Sequence, residues 1–145
     1  MDAFEILKND HRQVSKLFGQ IELAEGAAEK RRLFELIRQE LELHAYIEET
    51  VFYPLFADEE EFREIIEDSL DDHQEIKDLL LEVSEATDER ELDRMLDEVI
   101  GCVEQHVEEE EDELFPRIEK ALDTVQLMQI GAQLEEAKKS LPTAA

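Results

Sequence analysis

The chain has 145 residues, of which 42% are hydrophobic and 39% charged, with four glycines, three prolines and no tryptophan. That length suits one domain with a substantial core, and the scarcity of turn formers favours long helices over sheet. A formal net charge of −26 repels phosphate backbones and anionic lipid, so nucleic-acid and membrane partners are not expected. The single cysteine, Cys102, excludes an intrachain disulfide and fits a reducing compartment. With no long uncharged apolar run and no signal-peptide pattern at Met1-Asp2-Ala3-Phe4-Glu5, a soluble cytoplasmic protein is expected.

In the first segment Phe4, Leu7, His11, Val14, Phe18 and Ile21 follow the three-four spacing of an inward helical stripe, predicting a helix from about residue 2 to 25. Leu33, Ile37, Leu41, His44, Glu48, Val51 and Leu55 mark a second, from about 28 to 57, with Pro54 kinking or ending it. The third, about 59 to 86, points Phe62, Ile66, Leu70, His73, Ile76, Leu80 and Val83 inward. Thr87 or Asp88 then caps a fourth, about 89 to 121, whose inner face carries Leu92, Leu96, Val99, Cys102 or Val103, His106, Glu110 and Leu114. Val125, Leu127, Met128, Ile130 and Leu134 indicate a shorter fifth helix to about 139. The expected fold is all-α: an antiparallel up-down-up-down four-helix bundle with a short C-terminal fifth helix, one unit over residues 1–140, and a frayed tail at 141–145.

One pattern recurs within this frame. The stretch His44-Ala45-Tyr46-Ile47-Glu48-Glu49-Thr50-Val51-Phe52-Tyr53-Pro54 is repeated in plan by His106-Val107-Glu108-Glu109-Glu110-Glu111-Asp112-Glu113-Leu114-Phe115-Pro116. A side chain four residues on lies about 40° around the helix, so His44 with Glu48, and His106 with Glu110, aim an imidazole and a carboxylate into one cavity. Counting outward from the three turns places His11, His44, His73 and His106 at one depth, to within about one helical turn. Four imidazoles in a water-poor core are costly unless something satisfies them, and two inward carboxylates beside them invite a cation. Four nitrogens and two carboxylates are too many for one structural zinc. They suit a dinuclear centre with ions about 3.5 to 4 Å apart, with iron favoured and manganese or zinc as substitutes.

These residues resemble the hemerythrin-like proteins of bacteria, the HHE cation-binding family, over about residues 3 to 120. The likeness is carried by Asp10-His11, by His44 with Glu48 and its Phe-Tyr-Pro ending, by Asp72-His73, and by His106 with Glu110 and Leu-Phe-Pro. The resemblance implies two iron ions with an oxo or hydroxo bridge. His11 and His44 would bind one ion, His73 and His106 the other, and Glu48 and Glu110 would bridge.

The chain departs from the oxygen carriers of that family at two places. They have a second histidine four residues after the one on helix three, where this chain has Lys77. Lys77 either reaches the bundle edge or an acid, or acts near an open iron position. They also use an aspartate five residues after the helix-four histidine; here the 40° offset favours Glu110, with Glu111, at about 140°, as runner-up. Cys102, one turn before His106, approaches the site or serves as a small buried hydrophobe. Asp10 and Asp72 either orient an imidazole or face solvent. Tyr46 and Tyr53 fall off the inward stripe.

The expected function is a non-haem di-iron protein that binds or reacts with a small oxidant (O2, H2O2 or NO), with peroxide-reactive, catalase-like chemistry as the narrower expectation because of Lys77. The alternative is an iron or redox sensor, or an iron-donating repair module, acting through a protein partner that the sequence does not identify.

Overall fold

The helices form where the apolar stripes lie, and side chains fix their ends. The structure, a computed structural model, describes residues 1–140, so the tail at 141–145 lies outside the described residues. Helix α1 (Ala3–Leu23) starts at Asp2, whose carboxylate accepts the Glu5 backbone N–H at 2.9 Å. Gly26, at φ 84°, turns the chain into α2 (Ala27–Ile47), a backbone conformation that a side chain would strain. Helix α3 (Glu60–Glu85) is followed by α4 (Glu89–Glu109). Of the two candidate caps Asp88 takes the role, accepting from Glu91 N–H at 2.8 Å, while the Thr87 hydroxyl donates to the Glu91 side chain. After α5 (Phe115–Glu119), Asp123 and Gln126 cap each other's backbone and open α6 (Thr124–Ser140).

Helices α1–α2 and α3–α4 form two antiparallel hairpins that together make the four-helix bundle, and α6 is the short C-terminal helix, packed on α1 and α2. It sits close: a Cβ at Gly131 would collide with the Met1 carbonyl, and Ile130 and Leu134 are buried beside it. Val125 and Met128, part of the pattern that indicates this helix, are exposed. Among the described residues no helix is long and apolar enough to cross a membrane.

Helices two and four are not uniformly α. Each widens into a π turn, Glu48–Phe52 and Glu110–Leu114, in which Tyr53 N–H reaches back to the Glu48 carbonyl and Phe115 N–H to the Glu110 carbonyl. A three-residue 3-10 turn containing Pro54 (Tyr53–Leu55) then ends the second helix. One extra residue in a turn advances every later side chain by about 100°. Phe52, Tyr53 and Phe56 therefore turn into the core, while Leu55 is 46% exposed and Val51 only half-buried, against the uniform stripe expected of them. On α3 the inward position is held by Ser69, and Leu70 is exposed.

The core has two apolar clusters. One gathers Phe4, Leu7, Ile47, Phe52, Tyr53, Phe62 and Phe115. The other, toward the opposite end, gathers Phe18, Ile21, Leu33, Val83, Leu92 and Val99. Between them lies a polar layer.

Candidate metal centre

All four histidines lie in that layer, buried to 5–7% exposure, with Glu48 at 0% and Glu110 at 1%. The placement follows from the helices: α1 supplies His11, α2 His44, α3 His73 and α4 His106, and both glutamates stand at the first position of a π turn. Their donor atoms form two overlapping groups, His11–His44–Glu48–Glu110 and Glu48–His73–His106–Glu110, each with one ligand atom per residue and all such atoms within 4.8 Å of one another. Both groups share the two glutamates.

The imidazoles are turned by a ring of outer carboxylates. Nδ1 of His44 lies 2.9 Å from Asp10, that of His106 3.1 Å from Asp72, that of His73 2.9 Å from Glu49 and that of His11 2.6 Å from Glu111. A ring nitrogen on a carboxylate carries its hydrogen outward, which leaves each Nε2 lone pair facing the centre. There the Nε2 atoms meet in pairs, His11 with His44 at 3.2 Å and His73 with His106 at 3.1 Å. Two lone pairs at that distance repel unless a proton or a cation lies between them. Glu48 Oε2 and Glu110 Oε1 are also buried without a hydrogen-bond partner; Glu110 Oε1 stands 3.0 Å from His11 Nε2, but without hydrogen-bond geometry. Inward lone pairs and orphaned carboxylate oxygens in one dry layer fit a pair of metal ions.

The protonation equilibria carry the same signature. Burial disfavours a charged His11 or His44, but Glu110 beside His11, and Glu48, Asp10 and Glu110 beside His44, raise both above the ordinary histidine value, His44 well above it. His73 is held up to about 9, its burial outweighed by Glu48 and Glu49. Burial would raise Glu48, yet His44 and His73 keep it well below the usual carboxylate range. A cavity that draws protons onto its imidazoles so strongly offers the same sites to cations.

The model of the hemerythrin HHE cation binding domain matches residues 2–118. The chain belongs to that family. It is similar to a hemerythrin-like protein of Schizosaccharomyces pombe, 29% identical over 137 residues that cover 92% of this chain and 68% of the relative. A DNA nickase of Nostoc sp. is 26% identical over 145 residues, 97% of this chain but 40% of the nickase. In fold it resembles the crystal structure of a hemerythrin HHE cation binding domain-containing protein from Mycobacterium kansasii, with a TM-score of 0.82 at 24% identity, covering 97% of this chain and 89% of that one.

Within this hemerythrin-family bundle the remaining candidates fall in different places. Glu111 stands outside the central cluster, on His11 Nδ1. Lys77 is exposed at the bundle edge and pairs with Glu49 at 3.1 Å, so it touches the layer through the acid that holds His73. Cys102 is half-buried, its thiol faces Glu75 at 3.7 Å, and partial burial with Glu75 beside it raises the thiol above its ordinary value.

Tyr53, set aside in the sequence, is in contact with the cluster. Its hydroxyl donates to Glu110 at 2.5 Å and lies 3.2 Å from Glu48, and burial together with those two carboxylates holds the phenol well above its usual range. The extra residue of the π turn brings it there. The equivalent position after the second π turn is Phe115, stacked parallel on His11 with ring centres 6.1 Å apart. Tyr53→Phe removes the hydroxyl that satisfies a buried carboxylate, so the metal-free chain is expected to lose about 1–3 kcal/mol in urea unfolding. An unchanged midpoint would show that the hydroxyl contributes nothing.

Proposed function

We propose that the chain, as one unit over residues 1–140 and in the cytoplasm, holds two iron ions and binds or reacts with a small oxidant: O2, H2O2 or NO. His11 and His44 would bind one ion and His73 and His106 the other, with Glu48 and Glu110 shared between them and an oxo or hydroxo group completing the bridge. The observation that carries this is the pair of donor groups joined through the same two buried carboxylates, each imidazole backed by an acid. Imidazole with carboxylate and no thiolate suits iron, or manganese in its place, better than structural zinc. Iron with open positions supplies electron exchange with a small oxidant.

The chain's own residues set the terms of that chemistry. Beside the imidazoles lies a cavity of about 50 Å³ whose apolar wall is Val14, Leu41, Ile76, Leu80, Val103 and Val107. Since one water needs about 10–15 Å³ measured this way, the space has room for several waters and so admits a diatomic or a peroxide. Tyr53 holds Glu110 from the opposite side and keeps a hydroxyl proton at the shared carboxylates. With Lys77 occupied by Glu49, α3 offers only His73 to its ion, which favours peroxide chemistry over reversible oxygen carriage. Nicking of DNA is not carried over from the Nostoc relative: a net charge of −26 repels the phosphate backbone.

The test is stopped-flow spectroscopy of the reduced, iron-loaded chain with each oxidant in turn, after metal analysis has established about two irons per chain. A spectral change with at least one oxidant is expected. Oxygen evolution from peroxide well above that of free iron would support the narrower reading. No change with any of the three would sink the proposal.

A further inference from the structure

The outer carboxylate ring is built four times, but it is capped unequally. Asp10 and Asp72 are equivalent in sequence: each precedes a histidine of the cluster, and each takes the Nδ1 of a histidine 34 residues further on. Their surroundings differ. The Asp10 side chain is 9% exposed, and its second oxygen pairs with Nζ of Lys138 on α6; the Asp72 side chain is 34% exposed and has no cationic partner among the described residues. Burial pushes the Asp10 carboxyl up, but His44 and Lys138 together hold it below its ordinary value.

Lys138 reaches this place because α6 is tightly seated. Leu134, one turn earlier, is fully buried, and Gly131 lies against the Met1 carbonyl with no room for a side chain. A buried carboxylate with one oxygen on an imidazole must satisfy the other or swing toward water. Lysine satisfies it at Asp10. The Asp72 carboxylate is open enough to turn its other oxygen to solvent and exchange partners.

We propose that Lys138 is a positioning residue: its ammonium locks Asp10 against His44, so that the C-terminal helix completes the site and makes His44 hold its ion more firmly than it would with Asp10 unpaired, Lys77 on Glu49 being the more exposed counterpart behind His73. Only the statement about the ion rests on the metal reading above; the locking of His44 does not. The probe is the zinc-loaded chain, which is diamagnetic, observed by long-range proton–nitrogen spectra of the histidine rings, with the metal-free chain measured alongside.

In the native sequence the His44 Nδ1 proton is expected to exchange with water at least about tenfold more slowly than that of His106. Lys138→Met should abolish that difference, leave His106 unmoved, and speed chelator removal of one of two zinc ions by about tenfold, the low end of what loss of an outer partner costs. Lys138→Arg should restore the native behaviour. Equal exchange at both rings in the native sequence, or a Lys138→Met chain in which neither ring or both rings move, would overturn the proposal. A chain that takes up no zinc would count against the metal reading, while the exchange contrast in the metal-free protein still decides the role of Lys138.

Discussion

Glu110→Ala is expected to weaken metal binding by more than about 100-fold, beyond the 10–100-fold typical of losing an outer hydrogen-bonding partner. Glu110 is the hub of the cluster: one or other of its oxygens lies 3.0 Å from His11, 3.6 Å from His106 and 3.9 Å from His44, and it accepts the Tyr53 hydroxyl. Alanine there removes a donor from both groups at once. Glu111→Ala makes the informative comparison, because it takes away only the carboxylate on the outer nitrogen of His11 and should cost about tenfold. Metal retained per chain after dialysis against a graded chelator measures both, with far-ultraviolet circular dichroism showing that each variant is helical. If Glu111→Ala lost more metal than Glu110→Ala, the roles of the two neighbours would have to be exchanged.

The second large effect is a reversal of pH dependence on metal loading. In the metal-free chain His73 stands near 9 and His11 and His44 are also raised, so these groups bind protons more tightly folded than unfolded. Their contribution is fully present below the unfolded value of about 6.5 and is lost as pH rises through the folded values, on the order of 3 kcal/mol for His73 alone by pH 9. Glu48 runs the other way: its folded value is depressed, so its contribution is present above its ordinary value of 4.5 and lost as pH falls through the folded value. These groups therefore make the metal-free chain most stable between about pH 4.5 and 6.5. Metal needs the same imidazoles deprotonated, so the stabilisation it adds should grow from pH 6.5 to 9. Urea unfolding of chelated and metal-loaded protein at pH 6, 7.5 and 9 checks this, and parallel slopes for the two forms would refute it.

Much of this architecture was legible in the sequence because one rule, the 3.6-residue period, governs most of it. Stripes such as Phe4–Leu7–His11–Val14 and Ile66–His73–Ile76–Leu80 give the helices, and distance from the turns gives the depth of each histidine. The period fails at the two π turns. Nothing in Glu48–Phe52 announces an extra residue, so the period points Val51 and Leu55 inward in place of Phe52 and Phe56 and leaves Tyr53 off the stripe. The outer ring was harder to see for a different reason. Asp10 and Glu49 each lie one residue from an inward position, about 100° around the helix, and their roles depend on how neighbouring helices meet. A signal was present nonetheless: an acid before the histidine at both Asp10 and Asp72, and a second glutamate at both Glu49 and Glu111. Lys138 had none, because its partner lies 128 residues away.

The outer ring also bears on how the chain folds. Its two aspartates stay within their own hairpins, Asp10 with His44 and Asp72 with His106, whereas its two glutamates cross over, Glu49 to His73 and Glu111 to His11. Neither hairpin alone can satisfy its own buried polar groups. A half-folded chain would expose imidazoles and carboxylates with nothing to answer them, so the two halves gain their stability together and partly folded states are disfavoured. The same layer that collects ligands thus serves as the clasp that makes folding all-or-none.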